Sequence, residues 1–101
     1  KTVEVIDRVA VLKKGEHLGP NNGWGWEHMV GEDHHNQIKE AFDLADNDKA
    51  VKDFIAEGLE KGYVNPDSSI EIIYEPKGFL NKLQIVLSPY YLGSITTAHP
   101  V

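Results

Sequence analysis

Part-way along this chain the spacing of the apolar residues changes from three and four to two, and few architectures accommodate both periods. Ile38, Ala41, Phe42 and Ala45 recur at i, i+3, i+4 and i+7, which predicts a helix over residues 34–45 with one buried stripe and Asp33 as its N-cap. After Asn47-Asp48 the stripe repeats through Val51, Phe54, Ile55, Gly58 and Leu59. Lys61 falls in the last turn, where it favours the negative end of the dipole, and Gly62 serves as the closing cap. Beyond Tyr63-Val64 the pattern alternates. Residues 69–74 and 79–87 read as strands separated by the turn-former Glu75-Pro76-Lys77-Gly78, with Phe79, Leu83, Ile85 and Leu87 sharing a face. Ser88-Pro89 breaks the second strand, and residues 90–99 supply a third before Pro100 ends regular pairing. Upstream, residues 3–12 fit a strand or an amphipathic lead-in equally well, and the Gly, Pro and Asn of residues 13–23 indicate a loop. Trp24 to Val30 reads as a short helical turn anchored by its two indoles. The expectation is an α+β fold, with N-terminal helices packed on a C-terminal antiparallel sheet.

The chain is long enough for one hydrophobic core and too short for two, so a single domain over residues 1–101 is expected. Cysteine is absent, which removes disulfides and thiolate chemistry and leaves packing to stabilise the fold. No apolar run approaches the ~20 residues that cross a bilayer, and Lys1-Thr2-Val3-Glu4 lacks the pattern of a secretion signal, so no membrane partner is expected. The missing initiator Met suggests a fragment of a longer protein. The net charge of −6 opposes nucleic-acid binding unless the ten Lys and Arg gather on one face.

The helices, the aromatic-His segment Gly23-Trp24-Gly25-Trp26-Glu27-His28-Met29-Val30 ahead of them, and the closing Ile95-Thr96-Thr97-Ala98-His99-Pro100 occur in an order that resembles the barnase–EndoU–colicin–RelE superfamily of ribonucleases. Within it the chain resembles the C-terminal toxin modules of contact-dependent growth inhibition and related polymorphic toxin systems. The resemblance implies RNA cleavage without metal or other cofactor, often of tRNA. It further implies secretion or surface delivery within a larger effector, action in the target-cell cytoplasm, and a cognate immunity protein over the cleft. It also places a cleft-facing hydroxyl near Thr97. The acidic balance adds a possible partner, a host protein that carries the RNA. Gly31-Glu32-Asp33-His34-His35 stands where such modules have a more basic stretch.

RNA cleavage of this kind makes the 2′-hydroxyl the nucleophile, so it needs a base, an acid and donors for the phosphoryl oxygens. Histidine suits both proton steps, and the chain has His17, His28, His34, His35 and His99. His28 is the favoured acid–base group; its alternative is a histidine packed against aromatic rings that caps a backbone group. His34 and His35 open a helix, where a solvated face is the bland reading and one ring directed into the cleft the functional one. His35, Thr97 and Lys82 join His28 as catalytic candidates, the lysine supplying a cation. Tyr91, Ser94, Thr96 and His99 are the substrate-binding candidates, with Tyr91 suited to stacking a base. Strand preference alone also explains the threonines, and core packing the tyrosine.

Two other functions fit the same residues. A non-catalytic acidic module would use its charge to dock a protein. A metal-dependent hydrolase would use Glu27, His28, Glu32, Asp33, His34 and His35, although no H-x-x-x-H spacing forces these to converge. Asp43, Asp46, Asn47 and Asp48 lack the central Gly and terminal Glu of a calcium loop and are better read as helix caps.

Overall fold

Why the two amphipathic segments and the alternating ones need each other is evident in a computed structural model, which describes residues 2–5, 8–12, 15–19, 22–89 and 94–101; for 2–5, 8–11, 17, 19 and 22 it describes backbone only. Two short hairpins come first. Strand β1 (Thr2–Val5) pairs antiparallel with β2 (Arg8–Val11), and β3 (Glu16–Gly19) with β4 (Asn22–Trp24). Helix α1 (Gly25–Gly31) follows directly, then α2 (His34–Phe42) and α3 (Asp48–Lys61). The last four described strands are β5 (Tyr63–Val64), β6 (Glu71–Tyr74), β7 (Leu83–Leu87) and β8 (Ile95–Pro100). They form one antiparallel sheet in the order β5-β6-β7-β8. The chain therefore has an α+β fold, with helices leading and the larger sheet closing it.

One face of that sheet is the floor of the core. Ile72 pairs with Ile85 and Tyr74 with Leu83, all four buried, and Val51, Ile55 and Leu59 of α3 and Ile38 and Phe42 of α2 pack in the same cluster. Burial of each such side chain contributes about 1.5–3 kcal/mol. At the rim Tyr74 donates to Glu57 Oε2 at 2.5 Å, and the Tyr74 hydroxyl, taken out of water and bonded to a carboxylate, has its pKa pushed up to about 12.

Several boundaries differ from the sequence expectations. Residues 13–23 are not all loop: β3 and β4 pair within them, a hairpin whose polar Glu16 and His17 show no alternation. Gly15, at φ +68, lies so close to the Trp24 carbonyl that no Cβ fits there. Helix α2 stops at Phe42 rather than residue 45, because Asp43 turns left-handed at φ 52. Asp33 occupies the N-cap position but is itself left-handed, and its carboxylate accepts from Asn36 Nδ2 at 2.7 Å instead of capping a backbone N–H. The side chain of Asn47 does cap α3, accepting from the Ala50 N–H at 2.8 Å.

The expected strand over 79–87 begins only at Leu83, because Gly78 (φ +92) and the residues after it form a loop that leaves Leu80 fully exposed and Phe79 edge-on to Phe42. Tyr63-Val64, read as a connection, adds a fourth strand. Pro100 does not end pairing: it sits opposite Leu83, and Lys82 and Val101 exchange N–H···O bonds of 2.9 and 2.8 Å beyond it. Residues 90–93 of the expected third strand lie outside the described residues.

Two glycines let α3 lie close to the sheet. A Cβ at Gly58 would meet the side-chain tips of Ile85 and Leu83 at 3.1 and 3.2 Å, whereas one at Gly62 would meet the backbone oxygens of Gly58 and Ile73 at 2.5 and 2.7 Å. Gly62 is extended (φ −76, ψ 178), so crowding rather than left-handed backbone demands glycine there. Gly62→Ala should destabilise the domain by about 1–3 kcal/mol, the usual range for overpacking. Gly58→Ala should cost less, since its neighbours are flexible and alanine favours a helix by up to about 1 kcal/mol. Thermal melts of the two variants in parallel check the order, and an equal or higher melting temperature for Gly62→Ala would contradict it.

Candidate functional site

Three histidines, two near the start of the helical region and one near the chain's end, meet at the β8 edge of the four-stranded sheet. His28 lies on α1, His34 is the first residue of α2, and His99 is near the end of β8. The left-handed Asp33 at φ 60 folds the chain back between the two helices, and the His28 and His34 rings come edge to face with centroids 6.4 Å apart. His34 is also 5.3 Å from His99. It is the middle member of the three.

A bulge in β8 contributes the other wall. Val86 pairs with Thr97 but Leu87 with Ile95, so Thr96 is an extra residue between two rungs. Ile95 and Ala98 can then both be buried, while Thr97 and His99 share the opposite side of the strand. Thr97 Oγ1 stands 2.9 Å from His34 Nδ1, a hydrogen bond in which the hydroxyl donates when that nitrogen is bare. His99 Nδ1 donates to the Pro100 carbonyl at 3.2 Å, and that bond leaves Nε2 as the nitrogen available for exchange.

These groups line an open groove of about 400 Å³ together with Gly23, Glu32 and Gln37. His28 is 6% exposed, so it meets the groove with little of its surface. The His34 imidazole has its pKa lowered, first by burial and then by the neighbouring His99 and His28, against the opposing pull of Glu32 and Asp33. It is therefore neutral at neutral pH.

Of the sequence candidates, the groove gathers His28, Thr96, Thr97 and His99. His35 does not join them. One helical step turns it away from His34, its ring sits edge-on to Trp26 at 6.1 Å, and its buried Nδ1 has no hydrogen-bond partner among the described residues. Lys82 lines a different pocket and lies 3.8 Å from Glu75 Oε1. Ser94 is buried beside the β7–β8 connection, its carbonyl accepting from the Ser88 N–H. Tyr91 and the side chain of His17 lie outside the described residues. Sequence reasoning missed the central place of His34 and the lining residues Gln37 and Gly23. The spacing of His34 and Gln37, three apart on one helix face, was the available signal.

Among the described residues, no group of three or more His, Asp or Glu side chains converges closely enough to hold a metal ion. In the acidic run after α2, Asp46 pairs with Lys39 at 3.0 Å and Asn47 caps α3.

The lowered pKa of His34 has a thermodynamic consequence. Near pH 6.5 the unfolded chain takes up a proton that the folded chain does not, so the contribution of His34 to stability is complete above that pH. It is lost as pH falls from about 6.5 toward the lowered folded value. Melting temperatures from pH 8 to pH 5 should therefore fall less in His34→Gln than in the wild type; parallel curves would refute the assignment. Comparison of the chain with family models, with curated proteins and with solved structures returned no match.

Proposed function

We propose that this chain is a metal-independent endoribonuclease domain acting on RNA, with tRNA the favoured substrate, used as a toxin between bacteria. The observation that carries the reading is the pair of imidazoles His34 and His99, 5.3 Å apart in an open groove with the Thr97 hydroxyl on one of them. Two imidazoles this close resist being charged together, so near neutral pH one serves as base and the other as acid. His34, held neutral with Nδ1–H donating to Thr97 Oγ1, takes the proton of the 2′-hydroxyl at Nε2 as its oxygen attacks phosphorus. That leaves the Thr97 hydroxyl proton free for the phosphate. His99 gives a proton from Nε2 to the departing 5′-oxygen. The products are a 2′,3′-cyclic phosphate and a 5′-hydroxyl end. Thr96, Thr97 and Gln37 supply neutral donors to the phosphoryl oxygens. His28, mostly buried against the same groove, backs His34.

The resemblance in the order of the aromatic-His segment, the helices and the Thr-rich strand supports the same reading and extends it to delivery within a larger effector and a cognate immunity protein over the groove. No lysine or arginine is among the groove's described lining residues, and Glu32 is. With a net charge of −6, that favours a host RNA-carrying protein as a further partner. The same two observations favour a second reading, an acidic module that docks a protein and cleaves nothing.

Incubation with total tRNA in EDTA separates the two. The wild type should cut and leave 5′-hydroxyl ends. His34→Ala and His99→Ala should each cut at least about 100-fold more slowly, the usual loss on removing one acid–base group. The rate should pass through a maximum between pH 5 and pH 8. An inert wild type, or products bearing 5′-phosphates, would overturn the proposal.

A further inference from the structure

The sheet face that carries His99 continues beyond the groove. Cross-strand partners run His99↔Gln84, Gln84↔Ile73 and Ile73↔Tyr63, so one rung crosses all four strands of that sheet with its side chains on the same face. Three inter-strand steps of about 4.8 Å place Tyr63 roughly 14 Å from His99. At the far end lies a second pocket of about 430 Å³ lined by Tyr63, Asn65, Ile73, Lys82, Gln84 and Val101 among others. Its contents are those of a nucleotide subsite. Tyr63 is 43% exposed and offers a ring face, Ile73 is a buried apolar floor, Gln84 has an amide, and Lys82 a half-exposed ammonium. One carboxylate competes for them: Glu75 accepts the Tyr63 hydroxyl at 2.7 Å and lies 3.8 Å from Lys82 Nζ. The Glu75 carboxylate thus contacts both of the groups that a nucleotide would use there.

We propose that the Tyr63–Lys82 pocket is a second nucleotide subsite, in which a base of single-stranded RNA stacks on Tyr63 and its phosphate is held by Lys82 while the scissile phosphate lies in the histidine groove. This subsite rests on the ribonuclease reading for its ligand and deepens it: the substrate must present an extended single strand, since a paired one cannot lay an unstacked base across a sheet. It also supplies what is missing from the groove's described lining residues, a base-stacking surface and a cation.

The test is binding of a fluorescent 2′-O-methyl oligoribonucleotide, whose blocked 2′-oxygens prevent cleavage, measured by anisotropy. Tyr63→Ala should weaken binding about tenfold, as loss of one stacked base does, and Tyr63→Phe should not. Lys82→Gln should weaken it and lower the salt slope by about one. Glu75→Gln should strengthen it, a gain that a purely structural role for Glu75 does not produce. Unchanged affinity in Tyr63→Ala and Lys82→Gln, or no binding by the wild type, would overturn the subsite. Binding that responds to these variants, without cleavage of the unmodified strand, would sustain the subsite and remove the nuclease reading.

Discussion

Burial of the β7 side chains Leu83, Ile85 and Leu87 against α3 is the contact on which the other elements depend. With no disulfide available, the helices and the sheet have only each other to cover their apolar faces. Close approach is possible because Gly58 and Gly62 carry no Cβ where α3 meets the sheet. That docking fixes the strands, and the strands fix β8 at the edge where the histidines collect. The site is built on helices and strands, with the turn at Asp33 and the bulge at Thr96 contributing irregular backbone.

The electrostatics of the groove differ from those of the whole chain. A net charge of −6 describes a surface that repels phosphate, yet three imidazoles crowd one edge. The partly buried His34, flanked by His99 and His28, has its charged form disfavoured.

Much of the architecture was legible from periodicity. The stripes through Ile38 and Phe42 and through Val51, Ile55 and Leu59 are helices, and Leu83, Ile85 and Leu87 do share a buried face. What could not be read was local. The β3–β4 hairpin is polar and pairs only in register with a bulge, Tyr63-Val64 is too short to show a period, and Leu80 looks like strand but belongs to a loop. In the site, His28, Thr96 and Thr97 do line one groove, a placement expected from the resemblance and not readable from periodicity. The choice of His34 over His35 depends on a 100° step around a helix whose start was uncertain by a residue, and periodicity cannot resolve that. Lys82 was misplaced because a strand lysine signals a solvent-facing position without saying which pocket lies beside it.

The extra residue at Thr96 has an effect beyond its own position. Side chains along a strand alternate like teeth on two combs, and the insertion moves every tooth after it to the other comb. Were the strand regular at its present length, Ile95 would fall on the face of Thr97 and His99, and it could not be buried with Ala98 while those two lie beside His34. The core's claim on Ile95 and the groove's claim on Thr97 and His99 are met together because the bulge takes Thr96 out of the alternation.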